Sequence, residues 1–301
     1  MFLTGFTDEA ASDLPGQILA LKELGWSHLE LRNIGGVNAT QISDSDFAKA
    51  ADTLDAAGIS VNCFGSGIAN WAKKLSDPPA SSYAELRQAI PRMHRLGTQF
   101  IRIMSFALEN PLPIDNYDAE REVIHRISEL VKIAADNGII CVHENCSGWA
   151  GQSFEHSLRL LDAIDSPSFK LVFDTGNPVE QPDVRGSIPF KKQDAWQFYQ
   201  KVKNHVAYIH IKDGRMIQDK MHFMFPGEGS GSVVQILEDL HARGYDNGIS
   251  IEPHMAAVAH DPSIQSEASV KYSNFIEYGR RLEKILDKIN WKSTQNSPSG
   301  V

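Results

Sequence analysis

The chain has few of the features that mark membrane, nucleic-acid-binding or zinc-stapled proteins. Its three cysteines, Cys63, Cys141 and Cys146, form no Cys-x-x-Cys pair and no zinc-ribbon spacing. Cys63 and Cys141 lie in apolar, strand-like runs and read as buried thiols, a usage that suits a reducing compartment. No stretch approaches the ~20 apolar residues needed to cross a bilayer. The opening MFLTGFTDEAASD has neither a basic n-region nor a long apolar h-region. The expectation is a cytoplasmic protein with no membrane partner. Basic charge is also short: 29 Lys plus Arg stand against 38 Asp plus Glu, a formal net charge of −9. That balance argues against nucleic acid as a partner, because backbone binding relies on basic surface. No Ser-His-Asp nucleophile elbow is visible. GEGSGS at 227–232 is glycine-rich ahead of a helix and reads as a candidate phosphate cradle, but it lacks the P-loop lysine.

What remains is an ordinary core-forming composition, 42% hydrophobic and 22% charged. Short runs rich in Ile, Val, Leu and Phe predict strands over 2–6, 28–32, 59–64, 100–104, 139–144, 170–174, 206–211 and 248–252. Helical periodicity falls between them, over 14–24, 44–57, 83–96, 117–137, 154–164, 193–204, 233–243 and 267–288. Gly25, Gly58, Gly97 and Gly138 each follow the last periodic residue of a helix, the left-handed C-cap signal. Strict alternation with no Pro/Gly/Ser-rich linker predicts one (β/α)8 barrel over 1–292 and a polar tail over 293–301. A doubly wound sheet is the competing architecture. It gives no reason for metal-capable residues to follow four consecutive strands.

Those residues are Glu144 in His-Glu-Asn, Asp174 in Phe-Asp-Thr-Gly-Asn, His210 in His-Ile-Lys-Asp and Glu252 in Glu-Pro-His. They close the fifth to eighth predicted strands, whose ends converge on one mouth in a barrel. Three carboxylates and an imidazole suit a divalent cation. Taken singly, each has a plainer reading: a strand-end carboxylate caps helices, Asp174 before Thr-Gly fits a turn, and His210 fits a hydrogen-bonded core histidine. All four at equivalent positions favour a shared site.

The chain resembles the sugar phosphate isomerase/epimerase family, the xylose isomerase-like TIM barrels that include ketose 3-epimerases and inosose dehydratase. The likeness runs from GFTDEA through LKELGWSHLELR to SIEPH, with FDTGN, HIKD and PGEGSG as its most specific pieces. It implies that Glu144, Asp174, His210 and Glu252 are metal ligands, with Mn²⁺ first and Mg²⁺, Co²⁺ or Zn²⁺ as alternatives. It also implies that Glu144 and Glu252 double as acid/base residues. The reaction implied is proton abstraction α to the carbonyl of a keto sugar through a metal-stabilised cis-enediolate; two carboxylates on opposite sides of the substrate allow inversion. A lyase losing water or an aglycone from a 3-keto glycoside is the alternative on the same scaffold. An abasic-site endonuclease is the remote one, since the third and fourth strand exits lack the extra ligands of its three-zinc cluster. The partner implied is a small sugar, and a homo-oligomer is compatible with the reading.

Further candidates surround the four. Arg215, five residues past His210, is where the family commonly binds substrate. Lys212 shares strand parity with His210, and Asn177 follows Asp174 in a turn. His143 and His254 adjoin the ligands and read as supporting residues. His222 and Glu228 are candidates to cap the site, and Trp71 and Trp149 to cover a sugar face. Glu9 and Arg32, at the first two strand exits, pair with each other or line the mouth. Two departures from free-ketohexose 3-epimerases stand out. Asn177 replaces a histidine and Ala150 replaces a glutamate, which points toward a modified, oxidised or glycosidically linked sugar.

Overall fold

The computed structural model describes residues 1–108, 116–258 and 261–293; beyond Ser293 the expected tail lies outside the described residues. Eight parallel strands form one sheet: β1 (Phe2–Gly5), β2 (His28–Leu31), β3 (Ser60–Phe64), β4 (Phe100–Ile103), β5 (Ile140–Glu144), β6 (Phe169–Asp174), β7 (Val206–Ile211) and β8 (Gly248–Ile251). Hydrogen bonding runs in the order β1-β8-β7-β6-β5-β4-β3-β2, and β1 lies beside β2. The sheet therefore curls into the nearly closed (β/α)8 barrel that the alternation predicts.

The helices between the strands are α1 (Leu14–Leu24), α2 (Asp44–Ala57), α3 (Ala80–Leu96), α4 (Tyr117–Ala135), α5 (Phe154–Ile164), α6 (Ala195–Val202), α7 (Val233–Ala242) and α8 (Ala268–Lys288). Side chains of Asp13, Ser43, Asn116, Ser153 and Asp194 accept N–H groups at the starts of α1, α2, α4, α5 and α6. Gly25, Gly58 and Gly97 end α1, α2 and α3 at φ of 76°, 68° and 67°. α3 begins three residues before the expected start, because Ala80, Ser81 and Ser82 carry no apolar period to read.

Side-chain alternation divides the strands into two faces. Inside the barrel, Cys63, Val142, Val172 and Tyr208 form a small buried cluster. Two residues further along β5, β6 and β7, the same inner face carries Glu144, Asp174 and His210. The apolar plug thus gives way to a layer of ligand-type side chains at the C-terminal mouth. Two hairpins rise beside that mouth where the sequence suggested loops: Asn33–Ile34 with Val37–Asn38, and Asp213–Ile217 with Lys220–Met224. Among the described residues, no helix is long and apolar enough to cross a membrane.

Candidate active site

Glu144, Asp174, His210 and Glu252 are all buried, and each brings a ligand-type atom within 4.8 Å of the others. They arrive on β5, β6, β7 and the residue after β8. Each side chain is held from behind. Arg102 Nη1 lies 3.1 Å from Glu144 Oε2, and Asn177 Nδ2 donates to Glu144 Oε1 at 2.9 Å. Arg32 Nη1 donates to Glu252 Oε1 at 2.9 Å. Asp174 Oδ1 accepts the N–H groups of Gly176 and Asn177 at 2.8 and 2.6 Å, which turns Oδ2 toward the cluster. Lys212 Nζ stands 3.2 Å from Asp174 Oδ2 and 3.0 Å from Glu252 Oε2.

His210 is oriented by a buried glutamate. Its Nε2 lies 3.1 Å from Glu30 Oε1, while Tyr208 and Ser250 hydroxyls donate to Glu30 Oε2. That arrangement points Nδ1 at Glu144 Oε1, 3.8 Å away. His210 Nδ1 is buried without a hydrogen-bond partner among the described residues, and Asp174 Oδ2 has the Lys212 ion-pair contact at 3.2 Å but no hydrogen bond. Buried polar atoms are rarely left so, and here both face the other two carboxylates. Oxygen and imidazole donors around a common centre, backed by a carboxylate on the imidazole, fit a divalent cation. Glu9, Glu252 and His254 also gather within 4.8 Å of one another. There, however, Arg32 donates to both glutamates and His254 Nδ1 sits 2.9 Å from Glu9 Oε1, so that trio reads as a buried ion-pair network.

The charges fit the same picture. Burial pushes the Glu144 carboxyl up, but Arg102 and His210 outweigh it and hold it at about 2. Burial likewise opposes ionisation of Glu252, yet Lys212, His254 and Arg32 keep it well below the usual range. Asp174 is pushed up to about 7 by burial and by the two neighbouring glutamates, against the pull of Lys212. Burial lowers His210, but Glu30 and Glu144 raise it to about 10. The cluster thus keeps two firm carboxylates and holds protons on Asp174 and His210, which a dication would displace.

Above the cluster opens a cavity of about 730 Å³ lined by, among others, Arg32, Arg102, Glu144, Asn177, Lys212 and Glu252. Lys212 and Asn177 are therefore brought to the site, and His254, Arg32 and Trp71 also line the cavity. Arg215 is not. On the hairpin after β7 it pairs with His222, whereas Met221 and Phe223 on the opposite face line the cavity. Arg215 is exposed and donates to the Glu228 carbonyl. Counting from His210 places it correctly along the chain, but the hairpin's own alternation turns it away. His222 is exposed by the same parity, and the Glu228 carboxylate pairs with Arg281 on α8. Trp149 is buried edge-on against His156 in the core. His143 points to the helices, where burial lowers it to about 4.

GEGSGS does not form an open phosphate cradle. The N–H groups of Gly214, Gly227, Gly229 and Gly231 all donate to the buried carboxylate of Asp213, at 2.8, 2.9, 3.0 and 2.9 Å. A Cβ on Gly229 would lie 2.2 Å from Asp213 Oδ1, so the loop closes on this side chain only as glycine. Sequence reasoning missed Glu30 and Arg102. A charged residue inside each apolar run, HLEL and FIRI, was the available signal, since inner parity aims both into the barrel.

A family model described as xylose isomerase-like TIM barrel matches residues 18–273. The inosose dehydratase of Geobacillus thermodenitrificans is 25% identical over 190 residues, 56% of this chain and 59% of that protein. The chain thus spans under two thirds of that relative. A solved D-tagatose 3-epimerase-like protein superposes with a TM-score of 0.70 at 17% identity, covering 96% of this chain and 98% of that one. A xylose isomerase-like TIM barrel protein from Mycobacterium smegmatis, solved in complex with magnesium, superposes at 0.67 with 16% identity, covering 95% and 97%. At such identities the two structures speak to the fold.

Proposed function

The chain belongs to the xylose isomerase-like TIM barrel family, and on that premise we propose that it is a divalent-metal-dependent isomerase or epimerase of a keto sugar. The observation that carries this reading is the meeting of Glu144, Asp174, His210 and Glu252 in one buried cluster beneath a cavity. These four would hold the cation, with Mn²⁺ the first candidate and Mg²⁺ the second. When bound, the ion supplies Lewis-acid stabilisation of charge developing on substrate oxygens.

The chain's own groups do the rest. Glu144 and Glu252 approach from β5 and beyond β8, each fixed by its own arginine, and serve as the base and acid at the carbon α to the carbonyl. Asn177 keeps Glu144 Oε1 in place, and its position in the cavity lining sets it beside a bound substrate. Lys212 and Arg102, both buried and cationic, favour a substrate oxygen that gains negative charge. Phe6 lies under both arginines, 4.1 Å from Arg32 and 5.1 Å from Arg102, and forms an apolar floor that excludes water from below.

Elimination is the second reading. The dehydratase relative covers 190 residues of this chain, and loss of a group β to the carbonyl shares the first proton abstraction. Keto sugars incubated with protein and Mn²⁺ in D₂O separate the two, since epimerisation returns labelled sugar and elimination an unsaturated product. Glu144→Gln and Glu252→Gln are each expected to lower deuterium incorporation by about 10²–10⁴-fold. Undiminished exchange in both would remove the acid/base assignment.

A further inference from the structure

Two arginines and a lysine contact the carboxylates of the cluster, and they are held very differently. Arg32 donates to Asp8, Glu9 and Glu252 and packs on Phe6. Arg102 pairs with Glu144, donates to the Ser66 carbonyl at 3.1 Å and shares the Phe6 ring. Each guanidinium is therefore tied to groups outside the ligand set. Lys212 is not. Among the described residues its Nζ makes ion pairs with Asp174 Oδ2 and Glu252 Oε2, at 3.2 and 3.0 Å. These are the oxygens that the two residues have left for an ion, because Asp174 Oδ1 accepts two backbone N–H groups and Glu252 Oε1 accepts from Arg32.

The root of Lys212 is clamped while its tip borders open space. Its backbone N–H donates to Thr175 Oγ1 at 3.1 Å, and its carbonyl accepts from the same hydroxyl at 2.6 Å. The stem crosses Gly176, where a Cβ would stand 2.7 Å from Lys212 Cγ. Thr175 and Gly176 of FDTGN thus form a cradle for the lysine of HIKD. Beyond Cγ the side chain keeps its torsions, and it lines the cavity of about 730 Å³. A divalent ion lies about 2.0–2.6 Å from oxygen ligands. An ion on both Asp174 Oδ2 and Glu252 Oε2 would lie within about 6 Å of Nζ, whichever side it approached from. Like charges at that separation in a buried site repel strongly. The ammonium and the ion also draw on the same two oxygens.

We propose that Lys212 and the divalent cation are alternative partners of the same pair of oxygens. The ammonium holds Asp174 and Glu252 together until an ion binds, and binding turns it out into the cavity, where it meets the substrate. The proposal rests on the metal-dependent reading above. Its test strips the full chain with a chelator and measures Mn²⁺ affinity by titration calorimetry for the unaltered protein, Lys212→Met and Lys212→Gln. Melting temperatures are read beside it, with chelator and with saturating Mn²⁺. Each neutral variant is expected to bind Mn²⁺ about tenfold tighter or more, since a like charge within about 6 Å is gone. Each should also melt below the unaltered chain in chelator, where its carboxylates lose a buried partner, and recover most of that gap with Mn²⁺. Affinities in both variants equal to or weaker than that of the unaltered chain would overturn the exchange and leave the metal-dependent reading standing. So would variants that stay unfolded with saturating Mn²⁺, because the ion should replace the missing charge. Folded chains that all fail to bind Mn²⁺ would remove the metal-dependent reading itself, and the exchange with it.

Discussion

Glu30 sets the direction of His210, and the two act as a unit. Replacing Glu30 by Gln removes the charged acceptor behind Nε2, so divalent-metal affinity should fall about 10–100-fold, the usual effect of losing such a partner. Titration calorimetry with Mn²⁺ reads this directly; unchanged affinity would mean that packing alone orients the ring. Proton linkage gives a second expectation. In the metal-free protein Asp174 holds its proton up to about pH 7 and His210 up to about pH 10. A cation needs both groups deprotonated, so binding releases one proton between about pH 7 and 10 and a second below about 7. Affinity should therefore climb with pH, about tenfold per unit above 7 and more steeply beneath it. Calorimetry in two buffers of different ionisation enthalpy, at pH 6 and 8, counts those protons, and a pH-independent affinity would contradict the ligand set. The ligand-type residues were legible in the sequence because each ends an apolar run. Their supports were not, because Glu30 and Arg102 lie within such runs and resemble ordinary interruptions until the barrel sets β4 beside β5 and brings Glu30 of β2 across its interior to His210 of β7.

At the level of elements, the hairpin after β7 depends on one carboxylate and the glycines around it. Asp213→Asn keeps the shape but loses charge-assisted acceptance from four N–H groups. Hydrogen bonds to charged groups contribute about 1.5–3 kcal/mol each, though not additively. A loss of roughly 2–4 kcal/mol is expected by urea denaturation. Because Met221 and Phe223 line the cavity from this hairpin, KM should rise more than kcat falls; an effect on kcat alone would assign Asp213 a different role. This element also marks a limit of sequence reading. The alternation of β7 predicts Lys212 well, since it continues the strand's parity, and fails at Arg215, where an antiparallel turn imposes a new face. Glycine spacing likewise shows that backbone approaches something closely, without revealing that the something is the protein's own aspartate.

Over the whole molecule, the barrel was readable because its rule is repetitive: an apolar run and then a helix, eight times over, with a glycine following each of the first four helices. The cavity was not, since its walls come from hairpins whose strands of two to five residues carry no period. Ligand-type side chains from four successive strand ends are expected, on the proposed metal-dependent reading, to couple ion binding to the stability of the entire barrel. At a hundredfold excess over Kd a cation stabilises by about 2.7 kcal/mol, which for a chain of this size corresponds to roughly 4 °C in Tm. Scanning calorimetry with Mn²⁺, then with a chelator, should show the gain and its reversal, and Asp174→Ala should abolish it. A melting temperature indifferent to divalent ions would speak against a resident metal. The lock between Asp213 and the glycine loop carries one more implication. Everything from Met216 to His222 hangs beyond that clasp, outside the barrel's own packing, like an interchangeable cartridge. Engineered sequences grafted between those two positions should retune which substituents the enzyme admits while the chemistry underneath is inherited unchanged.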